Sequence, residues 1–320
     1  INFTLVSILY HVIPIGHHML RVGVLRRFIQ CGLRRAAASP GRHLQTFPIT
    51  KNFQGRTWSP VFIAFSIFGY SLGTSSEKQK EEKKVVKMSN PTTDELIPQS
   101  DQYFDENKYK EAYEILLDHP DRDKNVEILW RLARGHYKTA KEMDKKTEKE
   151  TIIRNGFDFI KHAMDIDDTH YAVHKWYAIL LDAKSELDGM WERVNQLHNV
   201  KHHMVRATEC NPSDPTSWWI LGCFEFGIAD MSWYVLKIVQ KVLKEPPTGT
   251  YEDALECFLR AETLQPMFYT TNHLWLGKCY KALKDNEKAK HHLNVAATAP
   301  VKNYDDKKCQ EEALQLLKKL

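Results

Sequence analysis

The 320-residue sequence has no glycine-rich phosphate loop, no glycine-framed serine nucleophile and no metalloprotease helix. Its six cysteines lack the spacing of a zinc knuckle or a redox motif, which favours a reducing compartment. They are Cys31, Cys210, Cys223, Cys257, Cys279 and Cys309. Carboxylates are abundant but scattered, and no pair stands out as a general acid and base. We therefore expect no enzyme activity, no cofactor and no metal.

Residues 1–76 contain no aspartate or glutamate, although they hold eight arginine or lysine residues. The other 244 residues hold 37 basic and 41 acidic residues, so the formal charge is +8 in the first part and −4 in the second. Between Arg21 and Arg35, apolar residues recur at helical spacing opposite several arginines. Such a segment is typical of a mitochondrial presequence. A disordered basic arm is the alternative.

The sequence also lacks a hydrophobic run long enough for a clean membrane span. The apolar stretch from Val61 to Leu72 is only 12 residues long, whereas a spanning helix needs about 20. We interpret residues 1–74 as a basic leader that targets the chain and contains a possible short anchor. Residues 75–92 are dense in charge and form a linker. Any membrane association is expected to pass through the leader.

From about Pro91 onward, helical periodicity replaces strand signals. The clearest pattern is one helical face followed by a proline: Tyr251, Ala254, Phe258, Ala261 and Pro266. This is the spacing of the second helix of a tetratricopeptide unit and its closing proline. A single helix pair cannot bury its apolar face alone, so neighbouring pairs have to stack on it.

Further patterns of this kind predict five helix pairs. The pairs begin near Thr93, Val126, Tyr171, Pro215 and Thr270. The first helices of the later four carry a small residue that lets the partner helix approach closely: Ala133, Ala178, Gly222 and Gly277. Three of the four intervals exceed the usual unit of about 34 residues, which predicts longer helices or insertions. The sequence thus predicts an all-α, tetratricopeptide-like α-solenoid over residues 93–320, with a C-terminal capping helix over residues 303–320.

The largest insertion, residues 229–248, is itself amphipathic. Apolar residues form one side, while Lys237, Lys241 and Lys244 recur at helical spacing on the other. With Trp233 and Tyr234, these lysines are the candidate partner-binding site. A row of ammonium groups beside aromatic rings suits an acidic surface such as a tubulin tail or a phospholipid headgroup. The alternative is that the helix packs inward and the lysines are only its solvated face.

Histidine and tryptophan residues supply weaker candidates. His198 and His202 lie four residues apart, but no third metal ligand accompanies them. Five tryptophans fall in the first helices of predicted pairs: Trp130, Trp176, Trp218, Trp219 and Trp275. We expect most of them in the core, and a minority in the concave groove, where an aromatic ring can hold a peptide or an acyl chain.

Several segments resemble the regulator of microtubule dynamics family. They are residues 128–134, 174–179, 211–214, 229–234, 246–247, 250–255, 260–262, 268–269 and 274–278. The run from Ala229 to Tyr234, followed by Pro246 and Pro247, is the most specific of them. The resemblance extends over about residues 94–320 and goes beyond generic tetratricopeptide patterning.

The resemblance implies a non-enzymatic helical protein that associates with microtubules, the spindle and spindle poles, and that acts in chromosome segregation. It also implies a cytoplasmic and cytoskeletal location, with a mitochondrial pool because the basic leader is similar to that of the mitochondrial member. One relative binds phospholipid through its repeats and tethers mitochondria to the endoplasmic reticulum. Phospholipid binding or transfer at mitochondrial contacts is therefore the alternative function. No nucleic-acid partner is expected.

The tethering motif of such relatives has no convincing copy ahead of the repeats. Tyr103, Phe104 and Asp105 resemble its aromatic core, but Glu106 stands where the motif has a small residue. We interpret this match as chance, since Tyr103 also fits the end of a first repeat helix.

Overall fold

The computed structural model describes residues 92–267 and 269–320, which form thirteen α-helices and contain no strand. The predicted leader, its possible anchor and nearly all of the linker lie outside the described residues. None of the helices within those two ranges has the length and hydropathy to cross a bilayer.

The helices follow one another with short connections. In chain order they are α1 (Thr93–Asp105), α2 (Tyr109–Leu117), α3 (Val126–Glu142), α4 (Lys146–Ile166), α5 (Tyr171–Asp188), α6 (Met190–Asn195), α7 (Leu197–Cys210), α8 (Pro215–Ala229), α9 (Trp233–Val242), α10 (Tyr251–Leu264), α11 (Thr270–Ala282), α12 (Asn286–Thr298) and α13 (Tyr304–Leu317). A single 3₁₀ turn, Arg122–Lys124, precedes α3.

Five helix pairs are formed by α1 and α2, α3 and α4, α5 and α7, α8 and α10, and α11 and α12. Their first helices begin at Thr93, Val126, Tyr171, Pro215 and Thr270, as the sequence predicts. Each pair contacts the next, and α13 covers the last pair. The all-α solenoid with its capping helix is therefore confirmed. The long intervals come from the lengths of α4 and α5 and from the inserted helices α6 and α9.

Local signals explain where the helices begin. The Asn125 side chain accepts hydrogen bonds from the first backbone N–H groups of α3. The Asp214 side chain caps α8, whose first residue is Pro215, and Thr250 caps α10. Because a helix N-terminus leaves four N–H groups without partners, such side chains fix the start of each helix.

Small residues allow the paired helices to approach closely. A Cβ atom placed on Gly222 of α8 would lie 2.8 Å from the ring of Phe258 on α10. A Cβ atom on Gly277 of α11 would lie 2.6 Å from the Leu293 side chain on α12. Such distances are shorter than carbon atoms tolerate, so glycine is required where these helices interlock.

Between described residues, two ion pairs attach the capping helix to the array. The first joins α13 to the adjacent helix α11, since Lys278 Nζ lies 2.6 Å from Glu312 Oε1. The second pair joins elements far apart in sequence, since Lys138 Nζ on α3 lies 3.4 Å from Asp305 Oδ2 on α13. The array therefore curves enough to bring its last helix to its second pair.

Candidate functional site

Helix α9 has one buried side and one exposed side. Val235 and Val239 are buried in the main hydrophobic core. Trp233, Lys237 and Lys241 are exposed on the opposite side, and Lys244 follows them just beyond the end of the helix. Trp233, Lys237 and Lys241 are spaced by four residues, which places them in one row along the helix, and Lys244 continues the positive charge past its end.

The row carries only positive charge. No aspartate or glutamate occurs between Asp230 and Glu245. Lys237 Nζ lies 4.9 Å from the centroid of the Trp233 ring, where a cation is attracted by the face of the ring. Among the residues that the structure describes, none forms an ion pair with Lys237, Lys241 or Lys244. The three ammonium groups are thus available to an external acidic group.

Tyr234 is placed differently from the other four candidate residues. Its side chain is half-buried and packs against the main core, although its ring centroid is 6.1 Å from that of Trp233. The structure therefore brings Trp233 and the three lysines together on the exposed side, and puts Tyr234 beneath them. We refer to Trp233, Lys237, Lys241 and Lys244 as the α9 row.

The segment that follows α9 is fastened to α7 and α8. Lys201 on α7 donates to the carbonyl oxygen of Thr248 at 2.7 Å and forms an ion pair with Glu225 on α8 at 2.8 Å. His198 also contacts the carbonyl oxygen of Glu245. Burial raises the pKa of Glu225, against the effect of Lys201. These contacts hold α9 at a fixed position on the array.

Helix α6 places a further tryptophan at the surface, which the sequence patterns did not indicate. Trp191 is 59% exposed, and α6 packs against α9. The helix is anchored by Arg193, whose guanidinium makes two hydrogen bonds of 2.7 and 2.8 Å to the Asp182 carboxylate on α5. A six-residue helix is too short to show a periodic pattern. Its only sequence signal is Gly189, which ends α5 at a φ of 110°.

The tryptophans of the first helices are mainly in the core, as expected. Trp130, Trp176, Trp219 and Trp275 are buried, whereas Trp218 is half-buried. Trp218 lines a cavity of about 620 Å³ against α10, together with Leu255 and Leu259 and with the charged Glu252, Glu256 and Arg260. This open cavity has both apolar and charged residues in its lining.

A cluster of aromatic residues, Tyr137, Trp176, Trp219 and Tyr269, links neighbouring helix pairs. The Tyr137 and Trp176 ring centroids are 6.0 Å apart, and those of Trp219 and Tyr269 are 5.1 Å apart. Burial raises the pKa of both tyrosines. The Nε1 atoms of Trp176 and Trp219 are buried without a hydrogen-bond partner among the described residues. A buried indole N–H without an acceptor is costly, so this cluster is a candidate for holding a ligand with carbonyl or phosphate oxygens.

The histidines form pairs within the array. His174 Nδ1 lies 2.8 Å from His203 Nδ1, joining α5 to α7. His273 Nδ1 lies 3.0 Å from His292 Nδ1, joining α11 to α12. Each contact uses the fourth residue of the first helix and the seventh residue of the second.

The histidines that the sequence spacing singled out do not form a metal site with other side chains. His198 contacts the carbonyl oxygen of Glu245, and His202 stacks edge-on with His203. Within residues 92–267 and 269–320, no group of three or more histidine, cysteine or acidic side chains could hold a metal ion.

The described cysteines are buried or half-buried free thiols. Burial raises the pKa of Cys257 to about 12 and of Cys309 to about 12. Thiols of this kind stay protonated at neutral pH and are poor nucleophiles. They act as small apolar side chains in the helix contacts.

The chain is similar in sequence to the proteins of one family. The model of a family described as Regulator of microtubule dynamics protein 1-3 matches residues 96–320. Regulator of microtubule dynamics protein 1 of Mus musculus is 32% identical over 258 residues, which cover 80% of this chain and 83% of that protein. Regulator of microtubule dynamics protein 3 of Rattus norvegicus is 30% identical over 224 residues, covering 69% and 48%.

Solved structures are more distant. A thermophilic TPR protein of Thermus thermophilus covers 69% of this chain and 97% of its own length, with 14% identity and a TM-score of 0.47. A crystal structure of MamA covers 68% of this chain and 96% of its own length, with 12% identity and a TM-score of 0.36.

Proposed function

The chain belongs to the family of regulator of microtubule dynamics proteins 1–3, and on that premise we propose that it is a non-enzymatic repeat scaffold that associates with microtubules. A solenoid of stacked helix pairs offers extended surfaces on which other proteins are held. The relatives' names refer to the dynamics of microtubules, whose outer surface is acidic. An acidic polymer is attracted by a surface of unpaired cations.

The α9 row is the observation that carries this proposal. Its lysines stand on a helix that is fixed by core packing and by Lys201, so their charges are held in one place. No described carboxylate neutralises them. A partner that supplies carboxylates would therefore gain charge-assisted contacts without first breaking contacts within the protein.

Reversal of these charges tests the proposal by sedimentation with purified microtubules. Replacement of Lys237, Lys241 and Lys244 by Glu should abolish sedimentation at near-physiological salt. Like charges brought together at an interface cost several kcal/mol, which is at least about 100-fold in affinity. Binding of the unaltered chain should also weaken as the salt concentration rises.

A charge-matched control separates this surface from net charge. Lys124, Lys307 and Lys319 are exposed and lie on other parts of the array. Their replacement by Glu changes the net charge by the same amount and should leave sedimentation nearly unchanged. If the α9 variant still sediments like the unaltered chain, α9 is not the microtubule site. If both triple variants lose binding equally, only net charge matters.

The cellular role proposed for this scaffold is regulation of microtubules at the spindle and spindle poles during chromosome segregation, with a second pool at mitochondria. The mitochondrial pool rests on the acid-free, arginine-containing residues 1–74. Fluorescent tagging of the full chain, beside a chain that starts at Met88, tests it. Equal mitochondrial signal from the two would refute a targeting role of the leader.

Phospholipid binding is the second candidate function, and the unpartnered indole N–H groups of Trp176 and Trp219 favour it. A lipid headgroup or ester would supply the missing acceptors beside apolar rings. Native mass spectrometry of the protein purified from cells tests this candidate. A co-purified phospholipid that is lost after Trp176→Phe and Trp219→Phe replacement would support it, and protein without lipid would refute it.

A further inference from the structure

Of the tryptophans that the structure describes, the two most exposed lie on the two inserted helices. Trp233 is 70% exposed and Trp191 is 59% exposed, and α9 and α6 pack against each other. The other described aromatic residue with such exposure is Tyr304, at 67%, on the capping helix α13. Large aromatic side chains that stay in water are a common mark of an interaction surface.

Both tryptophans stand on helices that are fixed to the array. The buried Arg193–Asp182 ion pair attaches α6 to α5, and the buried Val235 and Val239 side chains attach α9 to the core. The rings are therefore presented on rigid elements, and a partner does not have to order a loop before it binds.

We propose that the docking surface of the α9 row continues onto α6, and that it binds an extended acidic protein segment with Trp233 and Trp191 as apolar anchors. The inference rests on the proposed function, because it names the chemistry of the partner at the same site. Tryptophan is among the side chains that most often dominate the binding energy of protein interfaces.

The spacing of the α9 row favours an extended segment. Residues four apart on a helix are separated by about 6 Å along its axis. Alternate side chains of an extended chain point to the same side and are separated by about 6.6 Å. An apolar residue followed by acidic residues at alternate positions would therefore match Trp233, Lys237 and Lys241 in order. Lys244 lies beyond them and can meet a further carboxylate.

The test is fluorescence anisotropy of the full chain with two labelled peptides. One peptide alternates glutamate with glycine and carries phenylalanine two positions before the first glutamate; in the other, alanine replaces the phenylalanine. The aromatic peptide should bind about 10-fold more tightly, which is typical of an anchoring side chain. Replacement of Trp233 or Trp191 by Ala should remove this difference, without changing the weak binding of the alanine peptide.

Two controls accompany these variants. Tyr304 is an equally exposed ring with Lys308 4.5 Å from its centroid, so Tyr304→Ala is matched to Trp233→Ala and should have no effect. Replacement of Lys237, Lys241 and Lys244 by Gln should weaken both peptides and lower the salt dependence of binding.

Three outcomes would overturn the inference. The first is equal binding of the two peptides. The second is that the Trp191 variant binds peptide and microtubules fully, while the lysine variant loses both. In that case α6 is not part of the surface, but the proposed function still holds. The third is that the chain binds vesicles of anionic lipid with a fluorescence change that depends on Trp191, and binds neither peptide. This result would assign the surface to membranes. Failure of the proposed function is recognised separately, because the variant without the three lysines would then sediment with microtubules as the unaltered chain does.

Discussion

Acidification from pH 7 to about pH 5 should destabilise the helix array through its two histidine pairs. In the first pair, His174 Nε2 faces the carbonyl oxygen of Asp168, so this nitrogen carries the proton and Nδ1 is left as an acceptor. His203 then donates from its Nδ1 to His174. The second pair is arranged in the same way, because His273 Nε2 faces the Met267 sulfur and the Glu262 carboxylate.

Both pairs resist protonation in the folded state. Burial, reinforced by the neighbouring histidines, lowers the pKa of His203 to about 4 and of His292 to about 4. In an unfolded chain a histidine titrates near about 6.5. The unfolded state therefore binds protons more readily, so this contribution is complete above about pH 6.5 and is lost as the pH falls toward 4.

The size of the effect follows from the two pKa values. At pH 5, protonation stabilises the unfolded state by at most about 2 kcal/mol for each of His203 and His292, and solvent screening of these half-buried rings reduces the sum to about 2 kcal/mol. For an array of this length, that is a decrease of roughly 5 °C in Tm. Carboxylates with an ordinary pKa titrate below this window and contribute little to it. Burial raises the pKa of Glu225, Glu186 and Glu142, so these groups take up protons more readily in the folded state and partly oppose the effect.

Urea unfolding followed by circular dichroism at several pH values between 7 and 5 measures the effect. The His203→Asn and His292→Asn double variant keeps a donor near each Nδ1 position and should lose the part of the pH dependence that these two rings contribute. His136, His174 and His273, whose pKa values are also lowered by burial, keep the remainder. The matched control replaces the exposed neighbours His202 and His291 by Asn and should keep the full pH dependence. If the first variant loses as much stability between pH 7 and pH 5 as the unaltered chain does, the reasoning is refuted.

Three other substitutions test the contacts that build the array, and all are read by urea unfolding. Gly222→Ala should cost about 1–3 kcal/mol, since its new methyl group collides with the partner helix, and no loss would show that this contact is loose. Asp182→Ala should lower the free energy of unfolding by about 3 kcal/mol, because it leaves the buried Arg193 with only a longer ion pair of 3.6 Å to Glu186. Amide exchange in residues 190–195 should rise, and unchanged exchange would contradict the anchoring of α6. Lys201→Met should lower the free energy of unfolding by a similar amount, because it leaves Glu225 unpaired. The further change Glu225→Gln should restore part of the lost stability. If it restores none, the unpaired carboxylate is not the cause.

The helix pairs were predictable because their signals are local and repeated. Small residues such as Gly222 and Gly277, large apolar neighbours and capping residues recur at fixed offsets, and the predicted starts of all five pairs are confirmed. The inserted α9 was also predictable as a helix, since its apolar residues and lysines alternate at helical spacing.

The composite surface was less accessible from sequence. Helix α6 has six residues, too few for a periodic pattern, and the contact between α6 and α9 joins segments about 40 residues apart. Tyr234 was grouped with Trp233 by adjacency, but successive helical residues point about 100° apart and only one of the two is exposed.

The histidine pairs show the same limit. The doublets at residues 202–203 and 291–292 are visible in the sequence. Their partners, His174 and His273, are recognisable only when the register between the two helices of a pair is known. That register depends on side-chain interlocking across the pair, which a one-dimensional pattern does not contain.

The ion pair between Lys138 and Asp305 has a mechanical consequence. In most arrays of stacked helix pairs, each pair contacts only its neighbours. Small rotations between successive pairs can therefore change the curvature of the array without constraint from its far end. Here the ion pair joins the second helix pair to the final helix, so the rotations between the pairs that lie between them are coupled. Because this ion pair is partly exposed, added salt should screen it and loosen the link between the second pair and the final helix.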